Sequence, residues 1–191
     1  MKLKMIVGLS NPIPKYSYTR HNIGELFINT LAKKYNKNLK KDKFFSCYYA
    51  KINIDLNNII LMIPDNYMNI NGEIIYNFYT FYKIYPQELL IIHDELDLKI
   101  GCARFKFFHR NSSHNGIKSI VNLIEKKSLF HTLRIGIGRP KKNYDIKRYI
   151  LSKLNVQELF QLKQIINKSI NCINILIKKN QYHAMNILHK S

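Results

Sequence analysis

A cluster of carboxylates follows an apolar stretch near the middle of the sequence. The apolar residues Leu89 to Ile92 lead through His93 into Asp94, Glu95 and Asp97. Acidic residues are scarce, with 12 Asp and Glu against 31 Lys and Arg, so their clustering requires a reason. A carboxylate at the end of a strand could orient a histidine base or hold a metal ion. The alternative is structural, with Asp94 capping a turn and with Glu95 and Asp97 solvated.

His21 is the candidate for that histidine base. It precedes a predicted helix in which apolar residues from Ile23 to Leu31 recur at helical spacing. Asn22 and Glu25 have the spacing of a capping box at the start of this helix. The N-terminus of a helix carries partial positive charge and therefore disfavours a charged imidazolium. We expect the His21 ring to be neutral for this reason, as a general base must be.

Side-chain amides accompany the candidate base and carboxylate. Asn11, Asn69 and Asn115 lie in predicted loops, and an amide can hold a peptide backbone or donate to an oxyanion without titrating. These loops contain no good nucleophile, because Ser10 lacks the flanking glycines of a nucleophile elbow and no cysteine lies in them. Water activated by a histidine, without metal or cofactor, is the chemistry that fits these residues.

Alternating strand and helix patterns must position these loops. Strands are predicted at Met5–Leu9, Ser46–Ile54, Ile59–Ile63, Leu89–His93, Cys102–Phe107 and Thr132–Gly138. Helical patterns follow Asn22, Asn69 and Ser113, and a long amphipathic helix is predicted over Val156–Lys179. We expect Asn57-Asn58 to form the turn of a hairpin, and Phe81 to share the apolar face of the second helix.

The organisation of the chain is that of one domain. Neither an internal repeat nor a low-complexity linker interrupts the 191 residues. Residues 1–191 are therefore predicted to form a single α/β domain. The basic tail, residues 180–191, is expected to fray.

Charge and cysteine content limit the possible partners and compartments. A net charge of +19 and a pI near 9.8 favour nucleic acid or another polyanion as the partner. Cys47, Cys102 and Cys172 are odd in number and widely spaced, which predicts free thiols in a reducing compartment and argues against a zinc knuckle. No apolar run approaches the ~18 residues of a membrane span. We expect a cytoplasmic protein that does not cross a membrane.

Six short motifs occur in order along nearly the whole chain. They are Gly8-Leu9-x-Asn11-Pro12, Tyr16-x-x-Thr19-Arg20-His21-Asn22-x-Gly24, Pro64-x-x-Tyr67-Met68-Asn69-x-x-Gly72, His93-Asp94-Glu95-Leu96-Asp97, His114-Asn115-Gly116 and Arg134-Ile135-Gly136-Ile137-Gly138-Arg139-Pro140. In this order and spacing, the set resembles the bacterial peptidyl-tRNA hydrolase family. The resemblance implies a monomeric, cytoplasmic enzyme with a twisted mixed β-sheet flanked by helices. It also implies hydrolysis of the ester between a peptide and the 3′ ribose of tRNA, which frees both for reuse.

The resemblance also implies a role for each matching residue. His21 would be the general base that activates water, Asp94 would orient its ring, and Asn11 would favour an N-blocked substrate over free aminoacyl-tRNA. The positions expected to contact substrate are Tyr16, Tyr67, Met68, Asn69, His114 and Asn115. Lys106 and Arg134 would bind phosphates of the tRNA acceptor stem, and we expect Arg104 to share their strand face. His93 is expected to be a packing residue at the end of its strand.

The sequence departs from the family pattern beside the predicted site. Members usually have a glycine-rich run before His-Asn-Gly, whereas this chain has Phe108-His109-Arg110-Asn111-Ser112-Ser113, and Ile13 stands where glycine is usual. Glycine permits positive φ and close backbone approach, so we expect this loop to differ in shape and mobility. Two alternatives follow. The chain could be a tRNA- or rRNA-binding module whose altered loop blocks the site, or an unrelated metal-free peptidase or phosphorylase on the same architecture.

Overall fold

Four parallel strands form the centre of the sheet. A computed structural model describes residues 2–109, 113–124, 129–141, 144–178 and 180–189 of the chain. The seven strands are β1 (Met5–Gly8), β2 (Lys40–Asp42), β3 (Cys47–Ile54), β4 (Asn57–Pro64), β5 (Leu89–Glu95), β6 (Ala103–His109) and β7 (Phe130–Gly136). Their order is β2-β3-β4-β1-β5-β7-β6, with β4, β1, β5 and β7 parallel to one another. Antiparallel pairs complete both edges, so the sheet is mixed.

Helices cover both faces of the sheet. They are α1 (Ile23–Lys34), α2 (Asn71–Phe81), α3 (Asn115–Leu123), α4 (Ile146–Leu151), α5 (Val156–Lys178) and α6 (Gln181–His189). Alternate residues of β5 point to opposite faces, so Leu90 and Ile92 pack in a core with α1, α5 and α6. Leu89 and Ile91 pack in a second core with α2 and α3. The strand is buried on both sides, which explains its unbroken apolar run. The predicted α/β fold is confirmed.

The β3–β4 hairpin corrects the predicted turn. Asn57 pairs with Ile54, so Asp55 and Leu56 form the turn and Asn57-Asn58 belong to the strand. Asp55 adopts a φ of 54°, a conformation that aspartate tolerates better than most residues. Phe81, predicted to be buried on α2, is 65% exposed, because it lies at the last residue of that helix.

The tail forms a helix rather than a frayed end. Ala184 and Leu188 of α6 are fully buried in the core that also contains Phe105 of β6. The Phe105 amide donates to Nε2 of His189 over 3.0 Å, which joins the end of the helix to the edge of the sheet. Burial of these apolar side chains offsets the intrinsic weakness of so short a helix. Residues 190–191 lie outside the described ranges. No helix within those ranges is long and apolar enough to cross a membrane.

Candidate active site

The carboxyl ends of the central strands bring distant loops to one edge of the sheet. Asn11 lies just beyond β1, Met68 follows β4, and Asp94 lies near the end of β5. Because these strands are parallel and adjacent, the loops meet at the same edge. Gly8 allows β1 and α1 to approach each other closely, since a Cβ at this position would lie 2.1 Å from the carbonyl oxygen of Gly24 in α1. The start of α1 is thereby held against β1.

His21 and Asp94 form a buried hydrogen-bonded pair. His21 lies in a 3₁₀ turn, Arg20–Asn22, just before α1. Its Nδ1 is 2.9 Å from Oδ1 and 3.1 Å from Oδ2 of Asp94. The carboxylate can only accept, so Nδ1 carries the proton and Nε2 keeps its lone pair. Both side chains are more than 90% buried, with 6% and 5% of their surfaces exposed. The pair therefore has the geometry of an oriented base.

His114 makes the second hydrogen bond to Asp94. Its Nε2 lies 2.9 Å from Asp94 Oδ1, and its Nδ1 accepts from the Gly116 amide over 3.1 Å as the N-cap of α3. Nε2 of His114 is therefore the protonated ring nitrogen and donates to Asp94. The rings of His21 and His114 are 4.8 Å apart between centroids. The sequence predicted His114 in the mouth of the site, but not this contact with the carboxylate.

The electrostatics of the pair favour the protonated form of His21. Burial lowers the pKa of the His21 ring, but the charge of Asp94 and its hydrogen bond outweigh burial and raise the pKa above its usual 6.5. For Asp94, burial opposes ionisation, while His21 and His114 together bring its pKa well below the usual value. The sequence argument considered only the charge of the α1 N-terminus and did not include this contact with Asp94. Asp94 thus stabilises the protonated form of the His21 ring.

The orientation of Asn11 is set by backbone contacts. Its Oδ1 accepts from the Met68 amide over 3.0 Å. Its backbone amide donates to Oδ1 of Asn22 over 2.8 Å, and Nδ2 of Asn22 donates to its carbonyl over 3.0 Å. With its oxygen occupied, the Asn11 side chain offers the Nδ2 hydrogens to a ligand. Asn22 does not cap α1 as predicted, since its Oδ1 is used on Asn11 and its Nδ2 also contacts Glu25.

A cleft of about 760 Å³ collects most of the predicted substrate residues. Its lining includes Asn11, Tyr16, His21, Tyr67, Met68, Asn69 and Asn115. Asn69 and Asn115 are exposed, and the rings of Tyr16 and Tyr67 contact edge to face with centroids 6.4 Å apart. An adjoining cavity of about 320 Å³ exposes His21, Asp94 and His114. Both are lined by His21 and Asn115, so His21 borders the cleft that the amides line.

One wall of the cleft comes from α4, a helix that the sequence patterns do not predict. Ile146, Lys147 and Ile150 of this helix line the cleft. The helix is only six residues long, and none of its residues is buried, so its apolar pattern is weak. Asp145 at its N-cap accepts from the Lys147 amide over 2.9 Å, and this was the available sequence signal.

Arg20 connects this wall to the turn that contains His21. The guanidinium is buried, donates to the Ser152 hydroxyl over 2.6 Å and lies 4.4 Å from the centroid of the Tyr149 ring. It also forms an ion pair with Glu158 at the start of α5. Its neighbour in sequence is His21, so the same turn holds the base and the segment after α4. Sequence reasoning did not assign this role to Arg20.

Comparison with known proteins agrees with this architecture. The sequence profile of the family described as "Peptidyl-tRNA hydrolase" matches residues 5–191. A peptidyl-tRNA hydrolase of Wigglesworthia glossinidia brevipalpis is 58% identical over 190 residues, covering 100% of both chains. The chain belongs to the peptidyl-tRNA hydrolase family. A peptidyl-tRNA hydrolase of Pectobacterium atrosepticum is 37% identical over 187 residues, 98% of this chain and 96% of that one.

Solved structures give the same result for the fold. The crystal structure of peptidyl-tRNA hydrolase from Acinetobacter baumannii superposes with a TM-score of 0.90 at 36% identity, covering 98% of this chain and 94% of that chain. Its Arg119Gln mutant gives a TM-score of 0.91 over the same shares. The predicted family is therefore confirmed, and hydrolysis of peptidyl-tRNA is the function of that family.

Lys106 and Arg134 do not join the peptidyl-tRNA hydrolase cleft. They lie on β6 and β7, where Arg104 pairs directly with Arg134, so the three cations share one face as expected. Arg104 and Lys106 are exposed, whereas Arg134 is partly buried and donates to Oε2 of Glu95 over 3.2 Å. We call Arg104, Lys106 and Arg134 the basic strand face. It is connected to the cleft through β5, because Glu95 directly follows Asp94.

Three further expectations concern His93, the glycine-poor loop and a metal site. His93 is buried and donates from Nδ1 to the Asp94 carbonyl over 2.7 Å, and burial lowers its pKa to about 3, so it packs in the neutral form. The glycine-poor loop falls partly on residues 110–112, which lie outside the described ranges. His21, Asp94 and His114 are also the group of described residues that could hold a metal ion, with ligand atoms within 4.8 Å of one another. In this structure, His21 and His114 each direct an N–H group at the carboxylate of Asp94.

Proposed function

We propose that His21 is the general base with which this member of the family hydrolyses the ester between a peptide and the 3′ ribose of tRNA. The observation that supports this most directly is the 2.9 Å contact between His21 Nδ1 and Asp94 Oδ1. It leaves Nε2 as a proton acceptor beside a cleft lined by three side-chain amides. A carboxylate that orients a histidine in this way is a recurrent arrangement for activating a hydroxyl nucleophile.

The proposed reaction needs only water and the ester. Nε2 of His21 takes a proton from a water molecule while the water oxygen bonds to the ester carbonyl carbon. The imidazolium that forms is stabilised by Asp94, whose charge already favours the protonated ring. As the carbonyl re-forms, the bond to the ribose oxygen breaks and His21 returns the proton to that oxygen. A positioned base of this kind contributes roughly 10²–10⁴ in rate.

The amides of the cleft have two proposed roles. Asn69 or Asn115 donates to the tetrahedral oxyanion, an interaction worth roughly 10²–10³ in rate. Asn11 donates from Nδ2 to the carbonyl of the peptide group that blocks the substrate amine. A free aminoacyl-tRNA carries an ammonium group there, which has no acceptor for this donor. Tyr16, Tyr67 and Met68 contact the substrate along the walls of the same cleft, and His114 contacts it from the adjoining cavity.

The tRNA is proposed to lie on the basic strand face. Lys106 and Arg134, together with Arg104, would bind phosphates of the acceptor stem, since contacts of this kind orient a nucleic acid without reading its sequence.

The chain is proposed to act as a monomer in the cytoplasm, without a cofactor.

The test is hydrolysis of an N-acetylaminoacyl-tRNA by the unchanged chain and by His21→Ala. The variant should lose roughly 10²–10⁴ of kcat/KM, while its affinity for tRNA changes by no more than about threefold. His183→Ala is the matched control, because His183 is exposed on α6. EDTA should leave the rate unchanged. Near-normal turnover by His21→Ala would contradict the assignment of the base. Binding of tRNA without any product from the unchanged chain would favour the non-catalytic binding module.

A further inference from the structure

A second groove, of about 570 Å³, lies next to the cleft, on the other side of the segment Asn66-Tyr67. Aromatic side chains dominate it, so we call it the aromatic groove. The residues that matter here are Phe44, Phe45, Phe81, Asn66, Glu73 and Asn77. None of them has a role in the proposed reaction.

The aromatic residues form one continuous surface. Phe45 contacts Phe44 and Phe81 edge to face, with ring centroids 4.8 and 5.3 Å apart. Phe45 also packs 5.0 Å from Phe78, which is fully buried in the core. Phe44 and Phe81 nevertheless remain 85% and 65% exposed. A joined, exposed aromatic surface anchored on the core is typical of a binding site, because water solvates it poorly.

The charge of the groove excludes RNA as its best ligand. The chain has 31 Lys and Arg, yet none of them is among the described residues that line the groove. The ionisable carboxylate there is Glu73, which repels phosphate. Oδ1 of Asn66 accepts from the Tyr67 amide over 2.8 Å, which leaves its Nδ2, together with the Asn77 side chain, to pair with a peptide backbone. The apolar surface and these amides fit an apolar peptide.

The groove adjoins the cleft through two consecutive residues. Asn66 lines the aromatic groove and Tyr67 lines the cleft. Nδ2 of Asn71 donates to both of their carbonyls, over 3.1 and 2.9 Å, which holds the segment between the two sites. A peptide that leaves the cleft past Tyr67 would therefore meet the aromatic groove.

We propose that the aromatic groove binds apolar side chains of the peptidyl moiety, N-terminal to the residue esterified to tRNA. This inference depends on the proposed function, since it extends the substrate of the same cleft. The groove gives a preference for tRNA carrying apolar peptides over tRNA carrying polar peptides of equal length. A substrate with a single N-acetylated residue does not reach it.

The test compares three substrates that share one tRNA and a C-terminal alanine. They are N-acetylalanyl-tRNA, and two acetylated pentapeptidyl-tRNAs in which four leucines or four serines precede the alanine. Four additional residues extend the reach by about 13–14 Å. The unchanged chain should show a kcat/KM about tenfold higher for the leucine substrate than for the serine substrate, as for apolar side chains entering a pocket.

The variant is the double substitution Phe44→Ala and Phe81→Ala. It should reduce the leucine-over-serine ratio to within about twofold, while hydrolysis of N-acetylalanyl-tRNA stays within about twofold of the unchanged chain. Leu56→Ala is the matched control, because Leu56 is fully exposed in the β3–β4 turn. It should leave all three rates unchanged. Thermal unfolding of each variant verifies that the fold is intact.

Several results would overturn the inference. Equal rates on the leucine and serine substrates with the unchanged chain would do so, as would an equal loss on all three substrates in the double variant. Sedimentation that shows a dimer dependent on Phe44 and Phe81 would assign the groove to a second copy of the chain. If the unchanged chain fails to hydrolyse N-acetylalanyl-tRNA, the proposed function itself fails. If it hydrolyses that substrate without the leucine preference, only this inference fails.

Discussion

The cleft and the basic strand face have opposite physical characters, although Asp94, beside the cleft, is followed directly by Glu95, which accepts from Arg134 of the face. Beside the cleft, His21 and Asp94 are more than 90% buried and hydrogen-bonded to each other. On the basic strand face, Lys106 is exposed and makes no ion pair with a described residue. The proposed chemistry in the cleft thus depends on fixed distances between atoms. Binding of tRNA at the basic strand face depends instead on the electrostatic field of its cations.

This difference determines how much one side chain should matter. A buried hydrogen-bonded group acts in a low dielectric, and removing it leaves its buried partners without a hydrogen bond. An exposed cation acts through water and salt, and its neighbours replace part of its contribution. Substitutions in the cleft should therefore change the chemical step strongly, and substitutions on the basic strand face should change tRNA binding weakly.

Asp94→Asn is expected to have the largest effect. It removes the charge that stabilises the imidazolium and replaces one of the two accepting oxygens with an amide donor, which no longer fixes the ring tautomer, so kcat/KM should fall by about 10²–10⁴-fold. The base works only when neutral, so activity of the unchanged chain rises with pH through a His21 pKa above 6.5. In the variant, burial lowers that pKa without opposition, and the rise should move to lower pH. Measuring kcat/KM across about pH 5–9 verifies both effects.

Asp97→Asn is the matched control for that experiment. Asp97 is in the same acidic cluster, but its side chain is 67% exposed and pairs with Arg139 at the surface. It should leave both the rate and the pH profile unchanged. A pH profile that does not move in Asp94→Asn would show that Asp94 does not determine the protonation of His21.

Asn11→Ala should have an intermediate effect, on selectivity. It removes the amide held by the Met68 backbone, so the preference for N-acetylalanyl-tRNA over alanyl-tRNA should fall roughly tenfold, as for loss of one hydrogen bond. The ratio of the two kcat/KM values measures it. Asn29→Ala, at an exposed position of α1, is the control. An equal fall on both substrates would place Asn11 in the chemical step instead.

Lys106→Ala should have the smallest effect. The Kd for tRNA should rise about two- to fivefold, with kcat unchanged, and the slope of log Kd against log salt should fall by about 1. A salt titration of binding measures this, with Lys163→Ala on the exposed face of α5 as the control. If Lys106→Ala lowered kcat as much as Asp94→Asn, the contrast between the two regions would be invalid.

Local patterns in the sequence predicted much of the scaffold. The strand β5, the helix α1 with His21 before it, and the long helix α5 were all predicted within a few residues, because their apolar periodicity is local. Three elements were missed. The charged strand β2 and the short helix α4 have little apolar pattern, and α6 lies in the tail that was expected to fray. The structure of all three depends on neighbours that are distant in sequence.

The sequence by itself determined the family, the fold class and the identity of the chemical groups, since each depends on residue types and their order. Only the tertiary structure decided how those groups act on one another. His21 and Asp94 are 73 positions apart, and their contact raises the pKa of the His21 ring. The tertiary structure also placed His114 against the carboxylate of Asp94, and α4 along the cleft. Electrostatic interactions depend on distance and burial in space, and spacing along the chain specifies neither.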